Sequence, residues 1–258
     1  MKIGLTSVTF RSKSVCEVAK AASEAGISAI EWGGDVHCPP NDSGKQREAL
    51  AVSNRLGIAC VSYGSYFRLG VSETGEFEDI CRTALFLGAK IVRIWAFNKS
   101  PDETPEKDYS NCIAQAKEIS LTAEKYSVTV CFEYHRGTLT QNAGAALKLI
   151  GDIGCENMRL YWQPNPDIAF EENCRELKAV LKYVVNIHCF CWKNEGGEKN
   201  KRFLLECGRR EWCEYLDIAA GGGNVRYVLL EFVKDDSDEA FFADADTLKD
   251  LLCRYSVG

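Results

Sequence analysis

No run of lysine and arginine marks this chain of 258 residues. Its 31 Lys and Arg are outnumbered by 37 Asp and Glu, for a net charge of −6. No basic stripe is available to neutralise a phosphate backbone, which argues against nucleic acid as a main partner. No apolar stretch approaches the roughly 20 residues that span a bilayer. Met1-Lys2 leads into an alternating strand pattern rather than the apolar core of an export signal. The expected setting is therefore cytoplasmic, with no membrane partner. Cys-x-x-Cys is missing although 13 cysteines are present, an odd and scattered set that fits neither a zinc ribbon nor a disulfide framework. Cys60, Cys131 and Cys253 lie in apolar contexts and are expected to pack as small hydrophobes. Cys189 and Cys191 fall on the strand face opposite His188.

What the chain does contain is an alternation that continues from end to end. Strand patterns are expected at residues 2–10, 29–33, 59–66, 90–97, 128–134, 158–163, 185–192 and 225–233. Amphipathic helices are expected at 15–25, 46–56, 76–87, 111–126, 143–153, 172–183, 211–219 and 244–255. Gly26, Gly57, Gly88 and Gly154 stand where left-handed C-caps are wanted. Eight strand-helix units with no break in composition predict an α/β fold, a (β/α)8 TIM barrel forming a single domain over 1–258. A doubly wound open sheet is the alternative, but the turn Thr9 to Ser14 after the first strand has no glycine with which to cradle a dinucleotide. Gly221-Gly222-Gly223 precedes the eighth strand and is read as a turn.

In such a barrel the chemistry sits at the C-terminal strand ends. Glu31-Trp32-Gly33-Gly34-Asp35-Val36-His37, Arg93 with Trp95, Glu133-Tyr134-His135, Trp162-Gln163-Pro164-Asn165, Asn186 with His188, and Glu231 all fall there. All three histidines belong to this set. Glu133, Gln163, His188 and Glu231 sit on four successive strands at similar depth, with apolar neighbours such as Phe132 and Leu230 suited to the outer side. Two carboxylates, an imidazole and an amide oxygen make a hard site that suits Mn²⁺ or Mg²⁺ better than Zn²⁺. The competing expectation is that the glutamates pair with Arg93 or a nearby lysine, and that His188 is a hydrogen-bonded core histidine.

The order Phe132-Glu133-Tyr134-His135, Asn186-Ile187-His188 and Leu230-Glu231-Phe232 resembles the xylose isomerase-like barrel superfamily of sugar isomerases and epimerases, which also includes the endonuclease IV type of abasic-site nuclease. The 30–37 segment and Phe203 to Gly208 resemble it as well, so the likeness runs through essentially the whole chain. The resemblance implies a divalent metal held by Glu133, Gln163, His188 and Glu231, with Glu133 and Glu231 as the acid/base pair of a proton transfer through an enediolate. It also implies a small sugar or polyol substrate and self-association into a homo-oligomer.

This chain departs from the pattern at Gln163, where the superfamily usually has aspartate. An amide brings no charge, so metal affinity is expected to fall. Asp167 is a remote substitute that would need its loop to fold back. A barrel that binds sugar with a weakened metal, or without catalysis, is thus the alternative function. Behind it come an inosose-type dehydratase and a nuclease, the latter disfavoured by only three histidines and no basic groove.

The remaining candidates are substrate contacts. His37 follows two glycines that let a loop approach a ligand. Arg93 is expected to bind a substrate oxygen or to pair internally with Glu31 or Glu133. Trp32, Trp95 and Trp162 are candidates for an apolar wall against a sugar ring, and His135 and Asn186 complete the set. Residues 194–202 are expected to form a long polar loop over the site. No Gly-rich nest after strands seven and eight indicates a phosphorylated substrate.

Overall fold

In the computed structural model, which describes residues 1–255, the chain begins with β1 (Lys2–Thr6), α1 (Val15–Glu24), β2 (Ala29–Gly33), α2 (Ser43–Leu56), β3 (Ala59–Arg68), α3 (Glu76–Leu87), β4 (Ile91–Trp95) and α4 (Glu106–Lys125). It continues through β5 (Thr129–Glu133), α5 (Ala143–Ile153), β6 (Met158–Trp162), α6 (Phe170–Val180) and β7 (Val184–Cys189). A hairpin, β8 (Cys191–Glu195) and β9 (Glu198–Phe203), precedes α7 (Arg209–Gly222), β10 (Tyr227–Leu230) and α8 (Asp238–Leu252). The parallel strands close in the order β1-β10-β7-β6-β5-β4-β3-β2. This is the expected (β/α)8 barrel; residues 256–258 of the range 1–258 lie outside the described residues.

Strand alternation sorts the side chains into two cores. Outward residues such as Ile30, Trp32, Ile94, Phe132, Trp162 and Leu230 pack in the cluster that includes the helices. Ile91, Cys131, Tyr161 and Leu229 form a separate cluster inside the barrel, a filled interior rather than a pore. Two residues further along β4 and β10, the inner face changes from apolar to charged, with Arg93 after Ile91 and Glu231 after Leu229. The site is therefore a polar cap on a plugged barrel.

Local chemistry explains the boundaries. Ser14 and Glu17 form a reciprocal capping box at α1, Asp42 caps α2, and Ser237 caps α8 well ahead of the expected start at 244. Pro105 precedes α4 and moves its start from the expected 111 to Glu106. Gly57, Gly88 and Gly154 adopt the expected left-handed caps. Gly223 does the same for α7, so the triple-glycine run is a helix exit rather than a phosphate loop. β1 stops at Thr6 rather than Phe10 because Ser7–Phe10 turns into a short 3-10 segment.

The expected loop after strand seven is a correction. Residues 191–203 form the antiparallel hairpin β8–β9. Gly196 and Gly197, both with positive φ (62° and 82°), make its turn, as a two-residue hairpin with right-handed strand twist requires.

All 13 cysteines are free. Burial raises the thiols of Cys60, to about 12, and of Cys131. Cys253, expected to be packed, is exposed. Among the described residues no helix is long and apolar enough to cross a membrane.

Candidate active site

At the carboxyl end of the barrel, strand parity aims Glu31, Arg93, Glu133, Gln163, His188 and Glu231 inward, and all six are buried. His188 Nδ1 lies 3.2 Å from Gln163 Oε1, 3.4 Å from Glu231 Oε2 and 3.7 Å from Glu133 Oε1. Glu133, His188 and Glu231 each bring a ligand atom within 4.8 Å of the others. Neighbouring donors on a cation with bonds of about 2.1 Å are about 3.0 Å apart in octahedral and about 3.4 Å apart in tetrahedral geometry, so this spacing fits one divalent ion. Three carboxylates, Glu31, Glu133 and Glu231, share the pocket with one guanidinium, Arg93, and with His188, whose pKa the glutamates raise against its burial; a divalent ion or protons would balance the remaining negative charge.

Glu31 and Arg93 form a layer behind the donors. Arg93 Nε donates to Glu31 Oε1 at 2.9 Å and Arg93 Nη1 to Glu133 Oε2 at 2.5 Å. Ser62 Oγ donates to Glu31 Oε2 at 2.8 Å. His188 Nε2 is buried without a hydrogen-bond partner and lies 3.8 Å from Glu31 Oε1. The Gln163 amide oxygen can only accept, so without a metal the ring proton that meets it is on Nδ1; were Nδ1 to hold a metal instead, the proton would move to Nε2, on the Glu31 side. Burial would raise Glu31, yet the Arg93 charge, assisted by His188 and Ser62, holds it at about 2. Burial also opposes ionisation of Glu133, but Arg93 and His188 keep it below the ordinary carboxylate range. Glu231 has no direct arginine contact, and burial together with Glu133 raises it to about 7.

Of the outcomes expected for Arg93 the internal pair is the one formed, and with both partners at once: it bonds Glu31 and Glu133 and is 2% exposed. This corrects its reading as a substrate contact. Trp95 is at the site; its indole N–H bonds Glu133, and its ring stacks on His135 with centroids 5.0 Å apart.

Trp32 and Trp162 are not at the site. Each neighbours an inward residue, so alternation turns it out to the helical layer, Trp32 onto Ser53 of α2 and Trp162 onto Tyr215 of α7. His37 is also packed away, with its Nε2 3.1 Å from the Lys13 carbonyl. Asn186 lies a layer below His188 and is consumed by the Tyr161 hydroxyl at 2.6 Å and the Tyr227 N–H at 3.2 Å. Asp167 does not fold back to the donors; it pairs with Arg136 at 2.5 Å and accepts from Asn194 at 2.7 Å, which docks the hairpin.

Tyr66, Arg11 and Arg68 were not anticipated. The Tyr66 hydroxyl is 2.5 Å from Arg11 Nη2, and the Tyr66 ring lies 6.4 Å from that of Trp95. Tyr66 has φ of 61°, Phe97 of 69° and Phe232 of 50°, bends that bulky residues avoid unless the surroundings impose them. Nothing in the sequence announces such bends. Only the position of these residues at strand ends pointed to the mouth.

The xylose isomerase-like TIM barrel family matches residues 19–250. The chain belongs to this family.

A curated relative, a probable L-ribulose-5-phosphate 3-epimerase of Mycoplasma pneumoniae, is 25% identical over 159 residues, 59% of this chain and 49% of that protein. The match thus spans about half the relative's length. Among solved structures, the probable 3-DHS dehydratase AsbF from Bacillus anthracis superposes with a TM-score of 0.81 at 16% identity, covering 96% of this chain and 99% of that one. The IOLI protein with a bound zinc atom superposes with a TM-score of 0.78 at 16% identity, covering 100% of both chains. These superpositions establish the shared barrel.

Proposed function

We propose that this family member is a divalent-metal-dependent isomerase or epimerase that moves a proton beside the carbonyl of a small sugar or polyol ketone. The observation that carries this reading is the convergence of the Glu133 and Glu231 carboxylates on His188 Nδ1 in a buried, negatively charged pocket. The epimerase relative named above supports the same class of reaction.

Glu133, His188 and Glu231 would hold the metal, with Gln163 as a neutral fourth donor. Mn²⁺ or Mg²⁺ suits this oxygen-rich set, and the zinc of the IOLI protein keeps Zn²⁺ in the comparison. When bound, a divalent cation supplies positive charge that acidifies a C–H next to a carbonyl. One glutamate removes the proton to leave a planar enediolate, and the other returns a proton to that carbon or its neighbour. Arg93 keeps Glu133 ionised and fixed in orientation, while Trp95 and His135 form the wall along which the substrate lies.

The test is deuterium incorporation from heavy water into a panel of ketoses and inososes, followed by NMR with Mn²⁺-loaded protein. Exchange in wild type that disappears in both Glu133→Gln and Glu231→Gln is the expected result. Exchange that survives either change would sink the acid/base assignment.

A second reading, a sugar-binding barrel with a weakened metal, is favoured by the uncharged Gln163. Sugar binding that persists in chelator, with no exchange on any substrate, would select it.

A further inference from the structure

Arginines ring the mouth of the barrel, and four of five carry their own counter-charge. Arg11 pairs with Asp35 at 3.1 Å, Arg136 with Asp167 at 2.5 Å, Arg202 with Asp236 at 2.5 Å, and Arg93 with two buried glutamates. Arg68 is different. Among the described residues no carboxylate lies within ion-pair distance of it; Nη1 donates to the Phe97 carbonyl at 3.1 Å, and the guanidinium carbon sits 3.9 Å from the Trp95 ring centroid.

The placement follows from register. Arg68 is paired with Trp95 across β3 and β4 beyond a register shift after Gly64, and its guanidinium over the Trp95 ring puts the two side chains on the same side of the sheet. Both side chains therefore face the mouth. The Trp95 indole in turn touches Glu133, one of the two proposed proton carriers. One carbonyl uses one of the five N–H donors of a guanidinium, so Arg68, which feels the Glu133 charge without contacting it, keeps free donors, half-buried beside the reacting centre. A planar fork of this kind suits an oxyanion.

We propose that Arg68 anchors an oxyanion, carboxylate or phosphate, carried at the end of the substrate remote from the exchanging carbon. The substrate then spans from the carboxylate cluster, along Trp95, to Arg68. This deepens the isomerase reading and rests on it for the position of the reacting end. Recognition by a side chain is also consistent with the absence of a glycine-rich nest after β7 and β10. The Phe97 carbonyl and the Trp95 face fix the guanidinium before a ligand arrives, which limits the entropy lost on binding.

Calorimetric titration of Mn²⁺-loaded protein with a neutral ketopentose, its monophosphate and a keto-uronic acid provides the test. At least one anionic ligand is expected to bind about tenfold or more tightly than the neutral sugar. That advantage should vanish in Arg68→Met and Arg68→Gln, with neutral binding unchanged, and persist in Arg136→Gln. Whichever anion keeps the advantage identifies the oxyanion. Equal affinity for all three ligands, an advantage that survives both Arg68 changes, or no binding of any ligand would overturn the proposal. Because affinity is read rather than turnover, absent proton exchange in the same samples counts against the isomerase reading and not against the anchor.

Discussion

Arg93 and Glu133 meet at 2.5 Å in the centre of the barrel mouth, and the same guanidinium also holds Glu31. Removing it strands two buried carboxylates. Breaking a buried pair from one side generally costs about 3–5 kcal/mol, so Arg93→Met should destabilise the fold by that order, as measured by urea unfolding. Arg93→Lys keeps the charge but loses the two-sided fork, and should fall between Arg93→Met and wild type.

Gly64 lies against this pair. A Cβ added there would come 2.6 Å from Arg93 Nη2 and 2.9 Å from Glu31 Oε1. Glu31 Oε1 accepts from Arg93 Nε, and the guanidinium that carries Nη2 is fixed through Nε and Nη1, so neither atom can swing aside cheaply. Gly64→Ala is expected to cost about 1–3 kcal/mol, the usual range for overpacking. It should also weaken Mn²⁺ binding through Glu133, which chemical denaturation and metal titration of one preparation would report together.

Gln163 controls the charge of the donor set. In chelator-stripped protein, Gln163→Asp should tighten Mn²⁺ binding by about tenfold or more, since added ligand charge raises affinity for hard cations. Gln163→Ala should weaken it. Calorimetry on the three proteins reads this directly, and an unchanged affinity in both variants would remove Gln163 from the set.

Asp244 offers a pH dependence away from the donors. It is buried on α8, accepts from the Leu205 N–H at 2.7 Å, and burial raises it to about 6 from its ordinary 3.8. A carboxyl raised by folding contributes stability that is fully present below the unfolded value and is lost as pH rises through the folded one. Its contribution should therefore decline between about pH 4 and pH 6. Asp244→Asn, whose amide oxygen can still accept from Leu205, should abolish that decline and gain about 1–2 kcal/mol at pH 7. Melting temperatures of both proteins across this range would show whether the curves converge at low pH.

The hairpin is tied down by Arg136, which bonds Asp167 at 2.5 Å and the Asn200 side chain at 2.9 Å. Arg136→Ala should raise amide exchange in β8 and β9 by about tenfold while the barrel strands stay protected, because local opening scales with the contacts that remain. Hydrogen-exchange mass spectrometry resolves the two regions.

The alternation of strand and helix patterns and the glycine caps determined the barrel from sequence, because both depend on local periodicity and backbone conformation. Period-two parity likewise placed Glu133, Gln163, His188 and Glu231 on the inner face. The same parity excludes Trp32 and Trp162 from the mouth, since each adjoins an inward residue. The sequence pattern reads as a long polar loop where the hairpin stands, although the Gly196-Gly197 pair between polar runs is a signal that could have marked its turn. Tertiary structure alone decided which charges meet: that Arg93 serves both Glu31 and Glu133, that His37 turns to the Lys13 carbonyl, and that among the described residues no carboxylate comes within ion-pair distance of Arg68. These contacts join strands and loops distant in the chain, and their geometry depends on barrel closure and the β3–β4 register, which no local pattern encodes.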